Sequence, residues 1–347
     1  MALEGSQATA AAERRAGLGW RVARAFVQRR EASILVIAAG LFAYFGLSYS
    51  AFPTHDAIQT MGDFAAPVAL ITAGEVMLLI CGEIDLAVGR VFALSPIIMY
   101  LASAPAPDGA GLPIWIGALF GLLTALAVGL VNGFITTVLR VPAFITTLGM
   151  LFFLNGINLK ATNSFQVLTP GTHAFNVVTG EYVPHLLFNA EFYWAVGAVI
   201  VVQFILTRTR WGLHTIATGG NPVGAAEAGV DIRMIKIGNF MLANLLAGFA
   251  GILDSVRITS ILPLQGGPDI MFQAVAAAVI GGTALLGGAG TVVGGFIGVA
   301  VLAILNIGFT IAGVSALYFD LIIGLAILAS MIANVQVARL KNLGRLQ

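Results

Sequence analysis

Ten predominantly apolar runs of membrane-crossing length recur along this 347-residue chain, at 32–51, 64–81, 86–104, 113–138, 142–159, 190–207, 236–254, 270–287, 291–312 and 315–335. A hydrocarbon core about 30 Å thick takes about 20 helical residues to cross, so each run is the length of one span. With 59% hydrophobic and only 10% charged residues, the chain cannot hide its apolar surface inside a water-soluble globule. The expected fold is all-α and polytopic, with about ten helices. The expected organisation is a basic tail at 1–31, a transmembrane domain at 32–336 and a second tail at 337–347. Nucleic acid is not an expected partner, whereas the lipid bilayer is.

Basic residues set the orientation, because they concentrate on the cytoplasmic face. Six arginines crowd the first thirty residues, which lack an apolar core followed by a cleavage site and so read as a retained cytoplasmic tail. With that end inside, the cytoplasmic segments take Arg90, Arg140, the group Arg208, Arg210, Arg233 and Lys236, and Arg339, Lys341 and Arg345. Fifteen of the 17 basic residues then lie inside, and only Lys160 and Arg257 lie outside. An even number of spans with both termini cytoplasmic is the consistent solution. Spans two to five and seven to ten occupy similar lengths and start on opposite sides, the arrangement of an inverted repeat.

Two loops are long. The external one, at about 160–190, is polar and carries His173 and His185, suited to capping a passage or meeting an outside partner. The internal one, at 208–235, contains a readable short helix at 222–228: Asn221 supplies an N-cap, Pro222 a first-turn proline, Ala225, Ala226 and Ala228 favour helix, and Gly229 closes it. Two turns are marginal alone, so this helix needs something to pack against.

The stretch from Cys81 to Arg90 places Glu83, Asp85 and Arg90 between apolar runs. Charges in hydrocarbon cost several kcal/mol, so these groups must face an interface, a partner charge or a watery cavity. The flanking glycines suggest a broken or tightly turned segment, serving either as an interfacial turn or as a gate. Glu75, deeper in span two, is a candidate for a polar contact in a pore or between helices, or for a structural carboxyl near a bend. Asp254 and Arg257 are spaced for a local ion pair.

Several chemistries are excluded. The glycine-rich stretch 281–295 lacks the lysine of a nucleotide-binding loop, and its apolar flanks favour close helix packing with a tight turn between spans eight and nine. Cys81 is the only cysteine, which rules out an intrachain disulfide or thiolate metal site. The four histidines are scattered, with no zinc-protease spacing and no nucleophile elbow. Catalysis and a bound metal or cofactor are not expected of this chain.

Four motifs in order carry a resemblance: Gly82 to Gly89, similar to a Gly-x-Ile-Asp-Leu-Ser-Val-Gly pattern; Val141 to Gly149; Gly219-Gly220-Asn221-Pro222 through Gly229; and Val279 to Thr283 with Gly287 and Gly288. Together they resemble the sugar and branched-chain amino acid permeases of bacterial ABC importers, in particular the ribose and xylose type. Glu83 and Ala87 depart from that pattern, where glycine and serine are common. The resemblance implies a type II importer fold in the inner membrane, two permease subunits around a central pathway, a periplasmic solute-binding protein, and a separate ATPase that carries ATP and Mg. One complete set of motifs favours a homodimer. It further implies that the short helix is a coupling helix docking into the ATPase, with Gly224, Ala225, Ala226 and Gly229 allowing close approach and Glu227 adding a polar contact. Gate or pore candidates are Glu75, Glu83, Asp85, Phe144, Thr146 and Thr147. The rival reading is an ion-coupled secondary transporter using Glu75, Glu83 or Asp85.

Overall fold

The computed structural model describes residues 30–182 and 186–315, with scattered positions between 318 and 328. The two expected tails, His185 and most of the tenth run lie outside the described residues. The elements are α1 (Arg30–Ser48), α2 (His55–Ile80), α3 (Val88–Ser103), α4 (Ile114–Thr137), α5 (Ala143–Ala161), β1 (Val167–Leu168), α6 (His173–Thr179), α7 (Ala190–Arg208), α8 (Arg210–Gly220), α9 (Pro222–Glu227), α10 (Ile232–Arg257), β2 (Ser260–Ile261), α11 (Gly267–Ile280) and α12 (Val292–Ile311). Six of these, α2, α4, α5, α7, α10 and α12, are long and apolar enough to cross a membrane, and α1, α3 and α11 are shorter apolar helices. The first nine anticipated spans are therefore helical among the described residues.

Side-chain caps mark where helices begin. Thr54, Asn189, Thr209, Asp231 and Thr291 each accept a hydrogen bond from a first-turn N–H of α2, α7, α8, α10 and α12. Such caps satisfy donors that a helix start leaves free. Gln203 adds a tertiary cap, its amide oxygen accepting from the N–H groups of Val292 and Val293 at 2.8 and 3.1 Å.

Close packing rests on small residues. Along α4, Gly117, Gly121, Ala125, Gly129 and Gly133 fall four apart and form one face. A Cβ at Gly129 would press on the backbone of Phe240 and Met241, one at Gly133 on Ile237, and one at Gly121 on Ser95, so α4 lies backbone to backbone against α10 and α3. Without a hydrophobic driving force between helices in lipid, this close approach is what holds such pairs. Gly74 of α2 sits equally close to Ala243 of α10.

The expected repeat has a structural counterpart. Helices α2, α3 and α4 contain 26, 16 and 24 residues, and α10, α11 and α12 contain 26, 14 and 20. Each long first helix ends in a left-handed residue, Gly82 with φ 82° after α2 and Thr259 with φ 56° after α10. Each is followed by a non-helical link and then a short helix. The two short helices meet at their starts, where a Cβ on Gly89 would collide with the carbonyl of Gly267.

Three expectations are corrected. Span eight ends at Ile280 and not at 287, because Gly282, Gly287 and Gly288 all take positive φ (86°, 87° and 76°) and the connection to α12 is an eleven-residue link rather than a tight turn. The internal loop contains a second helix, α8, which its polarity hid. The external loop folds onto the bundle: β1 pairs antiparallel with β2, and Phe175 of α6 is buried with Met99, Ile252 and Val256.

Candidate coupling and gating site

Helix α9 forms as its sequence dictates. The Asn221 side chain accepts from the Gly224 N–H at 3.0 Å. At the other end Gly229, with φ 85°, lets its own N–H reach the Ala226 carbonyl at 2.9 Å and the Val230 N–H reach Ala225 at 3.0 Å. That pair of bonds is a Schellman cap, which only a residue tolerant of positive φ completes cheaply. Ala225 is buried and seats α9 on the chain's own body. Ala226, Glu227 and Pro222 are exposed, as is Val223, which composition did not single out, at 67% exposure.

Immediately before α9, the end of α8 is bare backbone against bare backbone. A Cβ at Gly219 would run into the carbonyl oxygen of Ile80, and one at Gly288 would come within 2.7 Å of Gly220. The Gly288 N–H donates to the Ile80 carbonyl at 2.8 Å. A Cβ at Gly287 would meet Gly219 and the Gly82 nitrogen at 2.9 and 3.2 Å. The approach to α9 thus touches two links, the one after α2 and the one after α11. Three of the four sequence motifs converge here.

The link after α2 carries the two acidic candidates to different surroundings. Glu83 accepts from the Lys236 ammonium at 2.5 Å, both side chains largely buried. Asp85 is fully buried and accepts three hydrogen bonds, from the Ala87 N–H at 2.8 Å, the Asn132 amide at 3.0 Å and the Asn244 amide at 2.7 Å. It therefore pins the link to α4 and α10 together. Glu83 also lines a cavity of about 310 Å³ with Thr136, Thr137, Arg140, Arg233 and Lys236.

The other gate candidates separate. Glu75 is fully buried, and neither carboxyl oxygen has a hydrogen-bond partner among the described residues. Thr146 and Thr147 are buried, with Thr147 donating to the Ala143 carbonyl at 2.8 Å. Phe144 is 55% exposed on the outside of the single chain. The residues brought together at the α9 end are Glu83 and Asp85 with the glycines, not the Phe144 group.

At the opposite end a charged cluster gathers residues that spacing alone did not connect. Arg257 makes the expected ion pair with Asp254, and its Nε also donates to buried Glu191 at 3.1 Å. Asp63 lies 4.0 Å from the same guanidinium and accepts from Asn189 at 2.8 Å and from the Tyr182 hydroxyl at 2.9 Å. Gln265 donates to Asp254 at 2.6 Å. Burial and the bond to Asp63 push the Tyr182 phenol up to about 12. Polar residues at the starts of spans two and six were the available signal.

Comparisons with known proteins agree with this geometry. Residues 58–331 match the family described as branched-chain amino acid transport system / permease component. The xylose/arabinose import permease protein XylH of Sulfolobus acidocaldarius is 34% identical over 320 residues, covering 90% of this chain and 87% of that protein. The ribose import permease protein RbsC of Escherichia coli is 32% identical over 271 residues, covering 77% and 81%. The autoinducer 2 import system permease protein LsrC of Yersinia enterocolitica is 28% identical over 309 residues, covering 88% and 83%. No solved structure matches. This multi-pass membrane chain belongs to the permease-component family of branched-chain amino acid transport systems.

Proposed function

We propose that this chain is the membrane-spanning permease subunit of an ATP-driven importer that brings a sugar or similar small polar solute into the cytoplasm. The printed functions of its relatives, import of xylose or arabinose, of ribose and of autoinducer 2, support that solute class. In this reading two copies enclose the pathway, a periplasmic binding protein delivers solute, and a separate ATPase holds ATP and Mg. Both termini and α9 lie in the cytoplasm.

The observation that carries the reading is the backbone contact of the α8 end with the links after α2 and after α11. Closure of the ATPase pair would push α9 as a rigid body. Gly219 and Gly220 then bear on Ile80, Gly287 and Gly288 with no intervening side chain to absorb the displacement. Through the first link the push reaches the Glu83 and Lys236 pair and Asp85, which is bonded to α4 and α10. A packed interface of this kind switches between discrete arrangements and does not deform smoothly.

Proteoliposomes holding the permease, its ATPase and its binding protein provide the test. Uptake of labelled pentose is expected only with ATP and binding protein present. Uptake driven by an imposed proton gradient without nucleotide would favour ion coupling, for which unpartnered Glu75 is the structural motive. Replacing outward-facing Ala226 with glutamate should weaken ATPase association and lower uptake at least tenfold while membrane insertion persists.

A further inference from the structure

Arg90 occupies a place that the distribution of charge does not explain. Lys236 and Arg257 mark the two charged ends of α10, and the 21 residues between them rise about 31 Å, close to the thickness of a hydrocarbon core. The Phe92 carbonyl lies against Gly251, about 22 Å along that rise from Lys236, and the Ser95 side chain lies against Gly248, so this part of α3 runs back toward Lys236 and Arg90, two residues before Phe92, sits at least as far along as Gly251. It is not at the cytoplasmic boundary where the basic-residue pattern assigned it, but inside the bundle toward the Arg257 end of α10. An extended link, not a helix, carries the chain there, which is why the pattern misplaced it.

At that depth the guanidinium is only partly satisfied. Its Nη1 donates to the Leu264 carbonyl at 3.0 Å and it packs on Gly267, where a Cβ would lie 3.2 Å from the guanidinium carbon. Its Nε has no hydrogen-bond partner, and among the described residues no carboxylate forms an ion pair with it. Asp269, two residues along α11 from Gly267, is exposed and acts on Arg90 electrostatically from beyond ion-pair distance. Arg90 is itself partly open to its surroundings. A half-paired cation facing acyl chains at this depth would cost several kcal/mol, whereas one facing water would not.

We propose that Arg90 and Asp269 are a solute contact on the translocation passage, Arg90 donating to and Asp269 accepting from neighbouring hydroxyls of a sugar in transit. A donor and an acceptor held apart, on the starts of two short helices that correspond in the repeat, complement a vicinal diol better than either complements the other. Broken helices meeting between repeats are where transporters place such contacts. This rests on the importer reading above, and its tests separate the two.

The first test needs no solute. In a Cys81→Ala background, Arg90→Cys in the reconstituted complex is treated with a membrane-impermeant anionic methanethiosulfonate, with Ile200→Cys, 63% exposed on the bundle's outside, as the control. Position 90 is expected to react at least tenfold faster than position 200. Reaction at position 90 only with a lipid-soluble maleimide, or with neither reagent, overturns the proposal while leaving ATP-dependent uptake standing. The second test measures uptake of D-xylose and D-ribose by Arg90→Gln and Asp269→Asn complexes. KM is expected to rise about tenfold in each with a smaller change in kcat, and an unchanged KM in both overturns the contact. An unaltered complex that moves neither pentose with ATP overturns the importer reading for sugars, and the contact with it.

Discussion

The two ends of the bundle are held by opposite means. At the α9 end, Gly219, Gly220, Gly287 and Gly288 bring backbone against backbone, and among the described residues one charged pair there joins Glu83 to Lys236. At the opposite end Arg257 collects Asp254, Glu191 and Asp63 from three separate helices, its own included, with Tyr182, Asn189 and Gln265 as further ligands of the carboxylates. Side chains at a charged cluster reorient and exchange partners, while glycine contacts transmit any shift directly. The difference fits one end that receives motion and another that resists it.

Breaking the resisting end should have the largest effect on stability. Arg257→Met strips the cation from buried Glu191 and Asp254 and is expected to cost about 3–5 kcal/mol. Thermal unfolding of the purified protein in detergent would show it, and a loss under 1 kcal/mol would mean that the cluster does not clamp. Next comes the link that joins both ends. Asp85→Ala leaves the Asn132 and Asn244 amides without their acceptor and should cost about 2–3 kcal/mol while reducing ATP-driven uptake more than stability. Retained uptake in that variant would remove Asp85 from the relay.

A smaller effect sharpens the receiving end. Asn221→Ala deletes the α9 cap, worth about 1 kcal/mol, and should lower uptake severalfold with little change in unfolding temperature, read by parallel transport and melting assays. The smallest is a pH effect. The folded Tyr182 phenol titrates near 12, above its ordinary 10.0, so its contribution is complete below pH 10 and fades as pH rises toward 12. Tyr182→Phe should flatten melting temperature across that interval, and a profile matching the unaltered chain would place the titration elsewhere.

What the sequence revealed and what it concealed follow from the range of the forces involved. Helix α9 was legible almost to the residue, because Asn221, Pro222 and Gly229 act on their own neighbours. The broken segment at Gly82 was legible for the same reason. The end of α11 was not, since residues 281–287 remain apolar by composition while their glycines leave helical space. Asp254 and Arg257 were paired by spacing, but Asp63 and Glu191 reach the same guanidinium from distant spans, which no local rule detects. The basic-residue pattern put Arg90 on the cytoplasmic side although it falls inside the apolar run 86–104, because that rule counts charges and not how far a link has carried the chain. Composition selected Ala225 for its smallness but could not tell that this residue faces the chain's own body.

The stripe on α4 has a last consequence. Because Gly129 and Gly133 add no side chains of their own at the α4–α10 seam, the two helices sit close enough to move together as one thick rod. Any rotation between it and α5 must be absorbed where the rod ends, at Arg140, a non-glycine residue already bent to a φ of 59° just before Pro142. That corner, rather than the seam between the rods, is where the machine would flex and where a stiffening substitution would be felt.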